Sequence, residues 1–321
     1  LVLLSGGGSA LASCPAEGIS SEEKAVVTRL LLGCGASIHE INTVRKHLSA
    51  IKGGQLARAF HPAEGLALVL SDVVGDDLDV IASGPTVADR STWQDVHRIL
   101  QHYRLMESLP AAVQQRVELG LAGSIPETPK PEDPVFRTFR TVLVGTNYHA
   151  IMEAEREAQR QGFATLVLGT RLQGEAKEIA KVFAGMTGDI LIHGIPHAAP
   201  VCVIAGGETT VTLKGKGKGG RNQEMALAFL ASMRRFPAGL QDLGNRVLFL
   251  SAGTDGNDGP TDAAGAFADA HVLRRASELG LDPEEFLAEN DSNAFFDKTG
   301  ALFRTGPTGT NVCDIQLLLV Q

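Results

Sequence analysis

Short continuous apolar runs, each closed by a loop rich in Gly, Asp or Thr, constrain this chain more than any other feature. They fall at residues 1–4, 66–70, 141–146, 164–168, 247–250 and 315–320, with a further run from Val201. Runs of this length without polar alternation mark strands covered on both faces. Segments with helical spacing lie between them. Val27, Leu30 and Leu31 follow a Ser20/Glu23 capping pattern, and Ile38, Ile41, Val44 and Leu48 form a second stripe. Strand, loop and helix in repeated order predict an α/β protein. No period of ~20–50 residues recurs, which argues against a solenoid or propeller.

A chain of 321 residues exceeds one ordinary core and suits two domains. The stretch 124–134, SIPETPKPEDP, holds four prolines and three acids and is the predicted linker, dividing 1–134 from 135–321. The run at 1–4 is apolar from the first residue, without an initiator methionine or a basic leader. It reads as a strand entered midway, with upstream sequence expected. A net charge of -8 and a pI near 5.6 argue against nucleic acid as the main partner. No run approaches the ~20 apolar residues of a membrane span. Cys14, Cys34, Cys202 and Cys313 show neither CxxC pairing nor metal spacing, so free thiols and a cytoplasmic protein are expected.

Against this acidic background the segment 213–224, LKGKGKGGRNQE, stands out. Lys214, Lys216, Lys218 and Arg221 alternate with Gly215, Gly217, Gly219 and Gly220 and run straight into a helical pattern beginning at Asn222. Converging glycine N–H groups, cationic side chains and a helix start predict an anion collar; a solvated basic hairpin tip is the plainer alternative. The run from Val201 through Gly206-Gly207-Glu208 reads as a hairpin feeding it. Ser5, Gly6, Gly7, Gly8 and Ser9 form a second glycine loop with two hydroxyls, lacking both the P-loop and the dinucleotide spacing. Arg45, Lys46 and Lys52 are further candidates for an anion site, with ordinary surface charge equally open. Asp72 closes the run 66–70, where α/β sheets place ligands, and Asp255 and Asp258 follow the run 247–250. Asp72 is the leading candidate for a metal ligand or general base, with Asp258 as a second metal candidate. Cationic glycine loops together with carboxylates suit Mg²⁺-assisted phosphoryl transfer better than hydride transfer or nucleophilic catalysis.

The motifs SGGGSA, NTVRKHLSAIKGGQLA, SDVVGDDLDVIASGPT, IAGGETTVTLKGKGKGGRNQE, SAGTDGNDGPTDAAGAFAD and TGPTGTNVCD occur in this order along nearly the whole chain. Together they resemble the glycerate 2-kinase family, whose C-terminal part is the MOFRL domain. The resemblance implies ATP- and Mg²⁺-dependent phosphorylation of D-glycerate to 2-phosphoglycerate. It implies a Rossmann-like parallel-sheet first domain, incomplete here at its N-terminus, a mixed-sheet second domain, and an active site in the cleft between them. By position, Arg221 is expected to contact substrate or phosphate, with Lys218, Gly219, Gly220 and Asn222 beside it. Asp72 and Asp255 are expected in the cleft, and the loop 5–9 in the nucleotide or substrate pocket. Family members carry an upstream lysine in a GKA-type motif that nothing in these 321 residues matches. Some relatives bear the label hydroxypyruvate reductase, and a non-catalytic metabolite- or nucleotide-binding relative is the remaining alternative; homodimerisation is left open.

Overall fold

A computed structural model describes residues 1–236 and 244–321. The chain divides into two compact units, Leu1–Val144 and Gly145–Gln321.

In the first unit, three strands lie in the order β1 (Val2–Leu4), β2 (Gly65–Leu70), β3 (Phe139–Gly145). β1 runs parallel to β2, with Val2 opposite Ala67 and Leu4 opposite Val69. Alternation along β2 turns Ala67 and Val69 inward, where they pack with Ala57, Ile81, Val135 and Phe139. Beside the sheet, the helices Ser21–Gly33, Ile38–His47, Trp93–His102 and Ala111–Leu121 share a separate core of Val27, Leu31, Ile41, Val44, Val96, Val113 and Val117 around Trp93. Three of these helices begin with reciprocal capping boxes, Ser20/Glu23, Ser37/Glu40 and Thr92/Asp95, which satisfy amide groups a helix start would leave orphaned.

The proline-rich stretch 124–134 lies inside this unit. Thr128 Oγ1 donates to Asp89 Oδ2 at 2.9 Å, the Asp89 amide donates to Pro129 O at 2.9 Å, and Glu127 accepts the Trp93 amide at 2.9 Å. Proline stiffens the backbone here, and the acids act as acceptors that tie the segment to the helical layer. The division between units follows Val144 instead.

The second unit holds six strands in the order β4-β5-β9-β6-β7-β8: β4 (Ala164–Leu172), β5 (Val201–Gly207), β6 (Val247–Gly253), β7 (Gly265–Asp269), β8 (Leu302–Phe303) and β9 (Asp314–Val320). β4 and β5 are parallel and the remaining pairs antiparallel, giving the expected mixed sheet. One face packs on the helices Ala176–His193 and Arg221–Arg234 through Phe183, Phe229, Phe249 and Leu318. The helix Asn147–Arg160 covers the other face with Ile151, against Ile204 and Cys202. The hairpin expected after β5 does not form. Glu175, beside the start of the helix Ala176–His193, accepts the Thr212 amide and hydroxyl at 3.2 and 2.7 Å, and an isolated bridge pairs Thr210 with Glu175. Because β9 runs against both β5 and β6, its first residue, Asp314, faces Gly207 at the end of one and Gly253 at the end of the other. A carboxylate therefore stands at the carboxyl ends of two central strands.

Candidate functional site

Among the described residues, two polar constellations built from different chemistry stand out, one in each unit. In the first unit, a cavity of ≈ 210 Å³ is lined by the loop 5–9, by Asn42 and Arg45 of the helix Ile38–His47, and by Asp72. The loop leaves β1 at Leu4, and Gly8 lets it approach Ala82 so closely that an added Cβ would lie 3.0 Å from the Ala82 side chain. Ser9 Oγ meets Ser83 Oγ at 3.0 Å, and Ser83 Oγ donates to Asn42 Oδ1 at 3.0 Å, which makes Ser9 the donor in the first contact. Arg45 Nη2 donates to Ser9 O at 2.7 Å and Lys52 Nζ to the same oxygen at 3.0 Å. Two cations thus clamp one carbonyl of the glycine loop.

The neighbouring turn is strained. Ala82 and Ser83, neither of them glycine, take φ of 52° and 61°, a conformation that costs of order 1–3 kcal/mol per residue unless the surroundings impose it. Those surroundings are Lys52-Gly53-Gly54. Lys52 Nζ donates to Ala82 O at 3.2 Å, and the Gly53 and Gly54 amides donate to Ser83 O and Gly84 O at 3.0 and 2.7 Å. Lys52 is therefore a buried brace as well as a cation of the site. Burial, then the charges of Arg45 and Lys24, push its pKa down to about 8. Asp72 stands half-buried beyond β2; burial raises its pKa, and the Gly7 amide partly draws it back. Lys46, expected to face an anion, is turned away. Its ammonium is buried between Asp79 and Asp89, which neutralise it.

In the second unit the centre is Arg221, first residue of the helix Arg221–Arg234. Its Nε and Nη2 donate to Asp314 Oδ2 and Oδ1 at 2.6 and 2.9 Å, and its Nη1 lies 2.9 Å from Glu208 Oε1. Burial works against the guanidinium charge, but the hydrogen bonds and charge of Asp314, with Glu208 and Asp258 behind it, outweigh this and raise its pKa. A guanidinium held by a bidentate carboxylate cannot swing, so any donor left over points in a fixed direction.

The loop before Arg221 differs from the expected collar. Four of its amides serve acceptors within the protein: Lys214 and Gly215 N–H donate to Asn290 Oδ1 at 2.7 and 3.0 Å, Gly217 N–H to Glu289 O at 2.9 Å, and Lys218 N–H to Asp291 Oδ1 at 2.9 Å. Gly220 is required because a Cβ there would overlap Asp258. The lysine side chains remain exposed, so their reach toward an anion is through charge alone. The helix start is likewise already occupied. Asp258 Oδ1 accepts Asn222 N–H at 3.0 Å and Asn222 Nδ2 at 3.3 Å, while Oδ2 accepts Gln223 N–H at 2.8 Å and Gln223 Nε2 at 2.9 Å. The anion at this helix terminus is the protein's own. Asp258, expected as a second metal ligand, is a cap with both oxygens committed, and Asn222 is turned inward, accepting Ser251 Oγ at 2.6 Å. Asp255 is half-exposed, with Oδ1 accepting the Asn257 amide at 2.9 Å. Among the described residues no group of three His, Cys, Asp or Glu side chains could hold a metal unaided, and no helix is long and apolar enough to cross a membrane.

Replacing Asp258 by alanine strands two helix-terminal amides in a buried setting. Loss of the cap together with charged hydrogen bonds is expected to cost about 2–4 kcal/mol. A calorimetric scan should show the melting temperature falling by roughly 5–10 °C.

Sequence reasoning named Arg221, Asp72 and the loop 5–9, which lie in these two constellations, but passed over Asp314 and Lys24. The signal for Asp314 was an acid opening a buried strand; that for Lys24 was a lysine on the Val27, Leu31 stripe of the helix Ser21–Gly33, where it is buried with them.

Residues 1–118 match a family model described as a domain of unknown function (DUF4147), and residues 201–314 match the MOFRL family. The chain is 45% identical over 320 residues to the glycerate 2-kinase of Pyrococcus horikoshii, covering 99% of this chain and 70% of that protein. It is 43% identical over 360 residues to human glycerate kinase, covering 100% and 67%. The crystal structure of a glycerate kinase from Thermotoga maritima superposes with a TM-score of 0.89 at 42% identity, covering 99% of this chain and 72% of the other.

Proposed function

This chain belongs to the glycerate kinase family, and we propose that it transfers the terminal phosphoryl group of ATP to the 2-hydroxyl of D-glycerate with Mg²⁺. The observation that carries the reading is the Arg221–Asp314–Glu208 constellation at the carboxyl ends of β5 and β6, in a chain similar to glycerate 2-kinases along its whole length.

Phosphoryl transfer asks little covalent chemistry of a protein. It asks for positioning and for fixed positive charge where negative charge develops. Asp314 and Glu208 offset the charge of the Arg221 guanidinium, but they hold its remaining N–H donors in a fixed direction that needs no reorganisation during the reaction, and we assign Arg221 to the transferred phosphoryl group as a hydrogen-bond donor. Lys218, exposed on the loop before it, attracts polyphosphate by charge. In the first unit the loop 5–9, with Arg45 and Lys52, serves as the binding pocket for an anionic group. Asp72 lines that pocket and enters no ion pair among the described residues. It fits two roles, accepting the proton of the substrate hydroxyl or holding magnesium. Magnesium commonly takes one or two carboxylates and completes its shell with water and phosphate oxygens, so a lone carboxylate of this kind suits it. When bound, Mg²⁺ would neutralise charge on the phosphate oxygens. Asp255, next to the strand end of β6, is assigned to the substrate.

A coupled assay tests the proposal. ADP should form only when D-glycerate, ATP and Mg²⁺ are all present, and hydroxypyruvate should drive no oxidation of NADH or NADPH. The opposite pattern would make the protein a reductase.

A further inference from the structure

Lys24 lies on the inward stripe of the helix Ser21–Gly33 and is only 6% exposed. Among the described residues its Nζ is buried without a hydrogen-bond partner, and the same holds for Arg45 Nε. Lys24 stands within electrostatic reach of Arg45 and of the Cys14 thiol, and both Lys24 and Arg45 act on Lys52. Lys52 is 1% exposed. None of these three cations has an Asp or Glu within ion-pair distance among the described residues, in contrast to Lys46, which has two. Arg45 Nη2 and Lys52 Nζ converge on Ser9 O, at the edge of the ≈ 210 Å³ cavity that Arg45 lines.

Burying cations together is unfavourable unless something of opposite charge joins them. Buried water would supply acceptors for the two orphaned donors but no charge. A carboxylate would neutralise one cation of three. A phosphate group, with up to two negative charges and three or more acceptor oxygens, matches the set better. We propose that Lys24, Arg45 and Lys52 form a phosphate subsite at the Ser9 end of the glycine loop, in which Lys24 is a binding residue. The inference deepens the kinase reading and rests on it for the identity of the phosphate, which belongs either to the nucleotide or to the phosphorylated product.

The test is calorimetric titration of the wild-type protein, K24M and K24R with inorganic phosphate, a non-hydrolysable ATP analogue, 2-phosphoglycerate and D-glycerate, together with melting curves. K24M should bind inorganic phosphate at least tenfold more weakly and D-glycerate within twofold of wild type, and K24R should recover most of the loss. Whichever of the ATP analogue or 2-phosphoglycerate weakens with K24M carries the phosphate that occupies the subsite. Without anion, K24M should melt no lower than wild type, because an uncompensated charge has been removed. Wild-type affinity for phosphate in K24M would overturn the subsite, as would an equal loss of D-glycerate binding or a lower melting temperature without anion. These titrations need no turnover. Phosphate binding through Lys24 in a protein that makes no ADP would retain the subsite and remove the kinase reading, and the reverse result would do the opposite.

Discussion

Replacing Arg221 by alanine is expected to lower kcat by about 10²–10³, the usual loss when one fixed donor to a developing negative charge is removed. Lysine should not rescue it. The Arg221 guanidinium meets Asp314 through Nε and Nη2 at once, at 2.6 and 2.9 Å, and a single ammonium reproduces neither the fork nor its direction. The alanine variant should also be less stable. Asp314 has a side chain only 1% exposed, and without Arg221 it becomes a buried charge without its bidentate partner. Breaking a fully buried pair costs about 3–5 kcal/mol; since 35% of the Arg221 side chain is open to water, screening reduces this to about 1–3 kcal/mol. Steady-state kinetics on protein checked by urea unfolding separates the two effects. A kcat within a factor of ~3 of wild type would remove Arg221 from the chemistry and leave it a purely structural role.

Replacing Lys52 by methionine should change how stability depends on pH. The Lys52 pKa in the folded protein is pushed down to about 8, first by burial and then by Arg45 and Lys24, against roughly 10.4 in an unfolded chain. Below about pH 8 both states hold the proton, and the folded state bears the full cost of the buried charge. Between about 8 and 10.4 only the unfolded chain binds it, so wild-type stability climbs with pH; above that the penalty is gone. The difference between wild-type and K52M unfolding free energies should therefore shift in favour of wild type by roughly 3 kcal/mol across this window. Titrating groups that do not interact with Lys52 are common to both proteins and cancel in the difference. Parallel urea-midpoint curves would show that Lys52 carries no such penalty. The same substitution removes the donor to Ala82 O, so the strained turn at Ala82 and Ser83 loses one of its supports.

Local features of this fold were legible in the sequence because local physics decides them. The capping pattern at Ser20 starts a helix where its spacing predicts, the stripe through Ile38, Ile41 and Val44 falls on a second helix, and the apolar runs became strands. Asp72 sits beyond a strand end because α/β connections put it there. What stayed hidden were pairings between distant segments. Lys46 reads as an available cation until Asp79 and Asp89 arrive from 33 and 43 residues away. Asp258 reads as a ligand until it is seen capping a helix at Asn222, 36 residues earlier in the chain. The glycines at 215–220 do mark close backbone approach, but the approach is to Glu289, Asp291, Ser292 and Asp258 and not to a ligand. Glycine spacing reports that something comes near, and only the tertiary fold says what. Lys24 is the opposite case. Its place on an apolar stripe was readable, yet a capped amphipathic helix looks sufficient as scaffold, so the charge inside it drew no attention.

The measurement that bears most directly on the account is the position of phosphate in the product. The protein, incubated with D-glycerate, ATP and Mg²⁺, should yield a phosphomonoester whose phosphorus couples to the C2 proton in the NMR spectrum, which identifies 2-phosphoglycerate. Coupling to the C3 protons, or D-glycerate recovered unchanged with ATP intact, would contradict it.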